Sequence, residues 1–476
     1  MKNIPSNPCD YPVWYDRHKI QHALLWLALL VPLFFVSYNF TNHWAESLPE
    51  VGHVVFDWET QIPLWAWTIV PYWSIDLLYC LVFLLASNRH ELNRMGLRLL
   101  TAQLICISCF MLWPLQFSWP RPELSGFFAS WFELLMSFDR PFNQAPSLHI
   151  TLLMILWVSF ASHARGIWRW LVHVWFALIG LSVLTTWQHH FIDVPTGMLA
   201  GFLAVWLWPV SGSSPLCAWR KPTIDRRRRY QLAFSYLMGA ILFAGIAYSL
   251  APTGLWLLWA SAALVLVSLA YAGLSVAVFQ KHDQGVQSIA ARWLLAPYLF
   301  AARINQWCWT RRLAPRDEIA PGVWLGRLPA RNDMDAQQLA WLDLTAEISA
   351  PHRPKHYHCL PHLDLVVMDA ATIAAAVEQL ELMRQQGPVL VCCALGFSRS
   401  AVVACAWLLL YGEEKNCAKV IFDVRNIRPW VHLSYHQQRE LEYWWQAQQG
   451  GDVMAQAGEY DQGPSQEQRE NENHVQ

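Results

Sequence analysis

Charged residues are scarce in this chain of 476 residues, and neither sign is in excess. Asp, Glu, Lys and Arg make up 14% of the sequence, against roughly 25% in an ordinary globular protein. Lys and Arg number 34 and Asp and Glu number 35, so no basic surplus points to a nucleic-acid partner. This composition excludes a disordered chain, a collagen and a compact soluble enzyme for most of the sequence.

The spacing of the cysteines gives no sign of a disulfide framework or of a metal site. The eleven Cys are scattered, and several lie in strongly apolar stretches, where small buried thiols are common. Cys106 and Cys109 have the spacing of half a zinc site, but no second pair accompanies them. We therefore expect neither a bound metal nor another cofactor.

Long apolar runs are what the sequence has in abundance, since apolar residues form 55% of it and Trp occurs 29 times. A bilayer core needs about 20 apolar residues per helix, and Trp is favoured at the two membrane interfaces. Stretches of this kind lie at 20–40, 63–87, 98–117, 147–163, 168–187, 194–210, 231–250 and 254–279. The sequence thus predicts a polytopic α-helical membrane bundle of about eight spans.

Basic residues fall in alternate connections between these stretches, which predicts the orientation of the bundle. The connections that we assign to the cytoplasm contain Lys2, Arg17, Lys19, Arg89, Arg94, Arg98, Arg165, Arg169, Arg220, Lys221 and the arginines at 226–229. The opposite connections contain only Arg121 and Arg140. Because the rule disfavours arginine there, both are candidates for a functional role.

Composition divides the chain into four parts. Residues 1–280 form the membrane domain, and 281–315 form a mixed, Trp-rich stretch that is typical of an interfacial helix and linker. From 316 to 447 the composition is that of a soluble domain large enough for its own core. The tail 448–476 is rich in Gln, Glu, Asn and Gly and is predicted to be disordered.

Three polar segments lie in or beside the weakly charged connections, at 119–122, 139–149 and 189–193, so we expect them to meet on the outer side of the membrane. Phosphoryl transfer from a lipid phosphate needs a fixed cation, a nucleophile oriented by a carboxylate, and an imidazole that protonates the departing alkoxide. His189 and Asp193 are four residues apart, so on a helix they share one face.

These segments resemble the type 2 phosphatidic acid phosphatase superfamily, whose pattern is Arg-Pro, then Pro-Ser-x-His, then His-x-x-x-Asp. The resemblance covers roughly residues 60–210. It implies that His189 is the nucleophile, which forms a phosphohistidine, and that Asp193 is its partner. It also implies that His149 is the general acid and that Arg121 and Ser147 bind the phosphate.

One position departs from this pattern. The superfamily often has Ser-Arg seven and six residues before the nucleophilic His, and here Ser182 and Val183 stand there. Arg140 is the remaining candidate for substrate binding. The Pro-Ser-Leu-His form, preceded by Asp-Arg-Pro, looks most like the branch that includes inositol phosphorylceramide synthases, so a lipid phosphotransferase stays open as an alternative.

The sharpest motif lies at 387–400, where an apolar β-branched run is followed by a small loop and a helical stretch. Five residues separate Cys393 from Arg399, which lets the loop N–H groups and the guanidinium surround one phosphate above the thiolate. The helix N-terminus and the arginine favour the reactive thiolate form. The uncharged side chains of Ala394, Leu395 and Phe397 favour a singly phosphorylated substrate over a polyphosphorylated inositol.

This segment looks like a cysteine-dependent dual-specificity phosphatase, an α/β fold, and the resemblance extends over about 319–443. It implies that Cys393 is the nucleophile, that Arg399 clamps the phosphate, and that Ser400 eases departure of the thiolate. Gly396 is assigned to substrate binding as part of the loop.

The general acid of such an enzyme lies on an upstream loop. Asp364 is the first choice for this role and Asp369 the second. Cys392 stands where the family usually has His, and that His orders the loop. Cys392 is interpreted as a packed thiol, because adjacent cysteines form a disulfide only with strain.

The expected protein is a bacterial-type, multi-pass inner-membrane phosphatase whose C-terminal domain is cytoplasmic. It would have two phosphomonoesterase sites, an outward-facing His-based site for lipid phosphate and a cytoplasmic Cys-based site. Its expected partners are a lipid phosphate or phosphoprotein substrate and membrane lipids, without nucleic acid. A regulatory or scaffold protein that binds phosphorylated partners without turnover is the alternative from another class.

Overall fold

The computed structural model describes residues 17–120, 124–212 and 214–449. The chain divides into two compact units, and each is described separately. The first comprises Met1–Ala218, Ala240–Ala262 and Ile289–Leu294. The second comprises Trp219–Gly239, Ala263–Ser288 and Leu295–Gln476. The second unit therefore includes two helical segments that composition assigned to the membrane domain.

Most of the described residues among the first 218 lie in helices. The helices are α1 Arg17–Glu46, α2 Ile69–Leu85, α3 Arg89–Leu112, α4 Ala129–Phe138, α5 Leu148–His163, α6 Gly166–Thr185 and α7 Asp193–Leu207. After them come α8 Arg226–Ser249, α9 Leu257–Leu269, α10 Ile289–Leu294 and α11 Ala296–Thr310.

Six helical segments in the described part of the chain are long and apolar enough to cross a membrane: His18–Glu46, Ala66–Leu85, Arg89–Leu112, Gly166–Thr185, Arg226–Ser249 and Thr253–Val278. The other two predicted spans correspond to the shorter apolar helices α5 and α7, of 16 and 15 residues. The helical and apolar character of this region is confirmed, and the count of eight spans stays a prediction.

Close packing of α5 on α7 depends on two glycines one turn apart. A Cβ at Gly197 would lie 2.7 Å from the Ser147 carbonyl oxygen, and one at Gly201 would lie 2.6 Å from the Thr151 carbonyl oxygen. Small residues at this spacing let the backbones of membrane helices approach closely. The approach also joins the helix starts, since Ser147 N–H donates to the Asp193 carbonyl over 3.1 Å.

The second unit contains a five-stranded sheet in the order β1-β2-β5-β3-β4. The strands are β1 Arg316–Ala320, β2 Val323–Arg327, β3 Ala340–Thr345, β4 Tyr357–His362 and β5 Val389–Cys393. The first pair is antiparallel and the others are parallel. The helices α12 Ala370–Arg384, α13 Arg399–Tyr411, α14 Cys417–Ile427 and α15 Tyr435–Gln449 complete it, so the expected α/β fold is confirmed for this part.

Alternating side chains along β5 pack on opposite faces of the sheet. Val389, Val391 and Cys393 belong to the larger core, which they share with residues of α12 to α15. Leu390 and Cys392 belong to a smaller core around Trp341 on the other face. With β5 central in the sheet, the loop that follows it has a rigid base.

The stretch predicted as an interfacial linker begins with a buried ion pair. Lys281 Nζ donates to Asp343 Oδ2 over 2.7 Å, and both side chains are fully buried. The Lys281 ammonium also donates to the Thr345 carbonyl over 2.6 Å. Residues 281–288 therefore pack along the end of β3, within the stretch that sequence analysis predicted as an interfacial helix and linker, while α11 remains largely exposed.

We predict that Gly201→Ala destabilises the first unit by about 1–3 kcal/mol, the usual cost of inserting a methyl group into a closely packed contact. Gly245→Ala is the matched control, because nothing lies within 4 Å of a Cβ there, and helix propensity alone slightly favours alanine. The measurement is the temperature at which half of the detergent-purified protein leaves the monodisperse peak. Equal temperatures for the two variants would contradict the packing argument.

Candidate active sites

Four of the carbonyl groups in the loop after β5 form hydrogen bonds with elements outside the loop. Four carbonyl oxygens accept hydrogen bonds from surrounding elements: Cys393 from Leu328 N (2.7 Å), Ala394 from Gln306 Nε2 (2.8 Å), Gly396 from Arg428 Nε (3.0 Å) and Phe397 from His432 N (2.9 Å). With these carbonyl oxygens bonded to the surrounding elements, N–H groups of the loop can converge on an anion at its centre.

Glycine is required at one position of this loop. Gly396 has φ +75°, in the left-handed region that side chains disfavour. A Cβ there would lie 2.4 Å from the backbone carbon of Gly326. The loop therefore packs on the end of β2 in a way that no other residue permits.

The Cys393 thiol lies at the base of the loop and is almost completely buried. Gly396 N and Ser400 Oγ each donate a hydrogen bond to its Sγ atom over 3.2 Å. Helix α13 begins at Arg399, so its positive end faces the sulfur. These donors stabilise a thiolate, which is the nucleophilic form of cysteine.

Arg399 is fixed by a network of buried acceptors. Its Nη atoms donate to both carboxylate oxygens of Glu347 over 2.9 and 2.6 Å and to the His362 carbonyl over 2.9 Å. Asp364 Oδ1 lies 3.2 Å from Nη2. Arg399 Nε is buried without a partner, so one donor of the guanidinium remains available for a ligand.

Sequence analysis missed the role of Glu347. Burial by itself would raise the pKa of Glu347, but the Arg399 charge and its hydrogen bonds hold that pKa below its usual value. The carboxylate therefore stays ionised and keeps the guanidinium oriented. Glu347 lies two residues after the fully buried strand β3, and no local pattern in the sequence marks its role.

Asp364 has the surroundings of a general acid. Its side chain is 34% exposed, yet removal from water raises its pKa, with Glu347 acting in the same direction and Arg399 opposing both. Asp369, the second choice, accepts a hydrogen bond from Thr372 N over 2.7 Å and caps α12. The geometry therefore favours Asp364.

Cys392 is a packed thiol on the opposite face of the sheet. Its Sγ donates to the Leu342 carbonyl over 3.6 Å, and burial raises its pKa well above the usual value. It stays protonated and does not face the loop that Cys393 faces.

The first unit brings three of its candidate residues together at the starts of α5 and α7. His189 Nδ1 lies 3.1 Å from Asp193 Oδ2. Since the carboxylate can only accept, Nδ1 donates and the lone pair is left on Nε2. Ser147, fully buried, caps α5 by accepting from Ile150 N over 3.3 Å, and its N–H reaches the Asp193 carbonyl.

His149 completes this group from the first turn of α5. Its ring stacks on Tyr72 at 4.1 Å between centroids, and its Nε2 atom is buried without a hydrogen-bond partner. An unpaired buried imidazole nitrogen is costly, so we infer that it serves a ligand.

The arginines assigned to this site are not shown beside the histidines. Arg140 forms an ion pair with Glu46 at the end of α1, and Arg121 lies outside the described residues. Val183, at the position where the family often has arginine, is fully buried in an apolar cluster with Ile69 and Ile150.

His190, the neighbour of His189, is also buried. Only 2% of it is exposed, and its Nδ1 lies 3.2 Å from Glu59 Oε2. The same carboxylate oxygen accepts from Phe191 N over 2.9 Å. Glu59 was not predicted, because the contact joins residues 131 positions apart.

No group of His, Cys, Asp and Glu that could hold a metal ion occurs among residues 17–120, 124–212 and 214–449.

No family model and no curated protein matches the sequence. Among solved structures, human DUSP28 is 21% identical, covers 29% of this chain and 97% of its own, and has a TM-score of 0.26. The human tyrosine phosphatase-like serine/threonine/tyrosine-interacting protein is 17% identical over 28% of this chain and 98% of its own, with a TM-score of 0.26. PTPMT1, solved in complex with PI(5)P, is 16% identical, covers 28% of this chain and 96% of its own, and has a TM-score of 0.24.

Proposed function

We propose that the second unit is a cysteine-dependent phosphoric monoester hydrolase. The observation that carries the proposal is the Cys393 thiol beneath a loop whose carbonyls bond outward and whose arginine keeps Nε unpaired. That arrangement offers a nucleophile and several donors to one phosphate dianion.

The reaction would proceed in two steps. Cys393 Sγ attacks phosphorus, the bond from phosphorus to the leaving oxygen breaks, and Asp364 gives that oxygen its proton. Water then attacks the phosphocysteine while Asp364 accepts a proton. The Ser400 hydroxyl, 3.2 Å from the sulfur, donates to the departing thiolate, and inorganic phosphate leaves.

Cys393→Ser should abolish hydrolysis of an aryl phosphate by the full-length protein, because a hydroxyl is a far weaker nucleophile than a thiolate. The matched control is Cys392→Ser, whose new hydroxyl can donate to the Leu342 carbonyl that the thiol now contacts. Release of the aryl alcohol in detergent is the measurement. If the folded wild-type protein hydrolysed no phosphoester and only bound phosphorylated ligands, the regulatory or scaffold alternative would replace this proposal.

The rate on an alkyl phosphate should fall as the pH rises through the raised pKa of Asp364, since the group donates a proton only while it is protonated. Asp364→Asn should remove this decline and lower the rate about 100-fold, a common contribution of general acid catalysis. Asp369→Asn is the control, because asparagine caps a helix as well as aspartate does. If the rate of Asp369→Asn no longer fell with rising pH while that of Asp364→Asn still did, Asp369 would be the general acid.

We propose that the first unit is a second phosphomonoesterase. His189, oriented by Asp193, attacks the phosphorus of a lipid phosphate, and the bond from phosphorus to the lipid oxygen breaks as His149 protonates that oxygen. Water then hydrolyses the phosphohistidine and releases inorganic phosphate. The supporting observations are the 3.1 Å contact of His189 with Asp193 and the unpaired Nε2 of His149. The inner-membrane location, with this site outside and the Cys393 site in the cytoplasm, belongs to the same proposal.

In a Cys393→Ser background, the full-length protein should release phosphate from phosphatidic acid in detergent, and His189→Ala should abolish that release. His173→Ala is the control, since His173 lies in α6 and accepts from Trp157 Nε1. Appearance of a new phospholipid, in place of free phosphate, would favour the phosphotransferase alternative. Equal loss in both histidine variants would contradict the assigned nucleophile.

A further inference from the structure

The general-acid loop of the Cys393 site is held by a residue of the last candidate span. The Tyr271 hydroxyl donates to the backbone carbonyl of Asp364 over 3.1 Å. Tyr271 lies within Thr253–Val278 and is 1% exposed. Both residues belong to the second unit, so one membrane-spanning segment contributes directly to the surroundings of the catalytic acid.

Local helix geometry supports this contact. The regular helix α9 ends at Leu269, and Ala270–Leu274 forms a π-helical turn, a feature that often occurs at functional sites. Tyr271 is further fixed by the ring of Tyr236, stacked at 5.5 Å with planes 13° apart. Tyr298 packs edge-on against Tyr236 at 5.9 Å.

Cations also lie beside this tyrosine. Arg229 Nε donates to the Tyr271 carbonyl over 3.2 Å. The three arginines that precede it, at 226–228, are exposed at the start of α8. Exposed arginines at the end of a span attract anionic lipid head groups.

Helix α11 connects an apolar surface to the phosphate loop. Gln306 Nε2 donates to the Ala394 carbonyl over 2.8 Å, while Phe300, Ile304 and Trp307 follow one another on another face of the helix and are 67%, 45% and 57% exposed. Such a face, with Arg311 stacked on Trp307, is typical of a helix that lies in the membrane interface.

We propose that the Cys393 site takes its substrate from the bilayer, and that the substrate is a membrane lipid with a phosphomonoester head group. This inference rests on the proposed function of that site. Three features support a cleaved bond at head-group depth. Tyr271 of the last candidate span contacts the acid loop, and the exposed arginines at 226–228 lie next to Arg229, which contacts Tyr271. The helix with the apolar face, α11, contacts the phosphate loop through Gln306. The exposed Leu365, next to Asp364, adds apolar surface on the same loop.

The test uses full-length protein with His189→Ala, so that only the Cys393 site operates. The probes are phosphatidic acid, phosphatidylglycerol phosphate and phosphatidylinositol monophosphate, each in phosphatidylcholine vesicles, with their deacylated counterparts in solution. At least one lipid should exceed its counterpart in kcat/KM by about tenfold or more, because the interface supplies binding energy that the soluble form lacks. A phosphotyrosine peptide and an aryl phosphate complete the set.

The results separate two failures. Suppose that hydrolysis of the aryl phosphate depends on Cys393, but that no lipid has a higher kcat/KM than the peptide or the deacylated compounds. The lipid inference is then overturned and the phosphatase proposal survives. If nothing is hydrolysed, both are overturned.

Tyr271→Phe provides an independent readout. It should lower lipid turnover about tenfold, because displacing the acid weakens proton transfer to an alkyl leaving group. Turnover of a nitrophenyl phosphate, whose leaving group needs no proton, should not change. The control Tyr248→Phe alters an exposed tyrosine of α8 and should affect neither substrate. An equal loss on both substrates would assign Tyr271 a merely structural role and remove this support.

Phe300→Gln and Phe422→Gln form a matched pair, since the two rings are 67% and 62% exposed on different helices. Only Phe300→Gln should raise KM for the lipid in vesicles, with the aryl phosphate unaffected. Equal KM values for the two variants would overturn the assignment of the α11 face to the membrane.

Discussion

The buried ion pair of Arg399 with Glu347 is the contact on which the Cys393 site depends. The two side chains are 2% and 6% exposed, and removing one partner of such a pair typically costs about 3–5 kcal/mol because the other charge is left unpaired. Glu347 follows β3, Arg399 opens α13, and the same guanidinium contacts the His362 carbonyl and Asp364. One interaction therefore sets the distance between the phosphate loop and the acid loop.

The parts of this site that lie close together in sequence were predictable. The spacing of Cys393 and Arg399 predicts a phosphate loop because a strand, a tight turn and a helix start bring those two residues together in any fold that contains them. His189 and Asp193 are only four residues apart in sequence, but His189 lies in the turn before α7, which Asp193 opens, so the turn and not a shared helical face brings them together. In each case local backbone geometry determines the contact, so a single sequence is sufficient.

Contacts between distant segments were not predictable for the same physical reason. Glu347, Glu59 and Tyr271 reach their partners only after the sheet and the helices have packed, and no local pattern distinguishes them from other polar residues near a strand or span end. The role of Arg140 stays a prediction. Its topological position predicted a ligand role, but the chain folds it against Glu46, and a charge at an interface pairs with whichever opposite charge the fold places there.

Hydrogen bonds to the end of β3 fix the non-helical segment 281–288, which follows the last candidate span. Lys281 neutralises Asp343, which also accepts from the Tyr357 hydroxyl over 2.6 Å. Six residues later, Gln287 Nε2 donates to the carbonyls of Ala346 and Glu347 over 3.2 and 3.3 Å. Because Glu347 orients Arg399, a displacement of residues 281–288 would reach the phosphate loop through two hydrogen-bonded steps. An unrelated helix of the same hydropathy would lack both the hydrogen bonds that residues 281–288 form with the end of β3 and the Tyr271 hydroxyl at the acid loop.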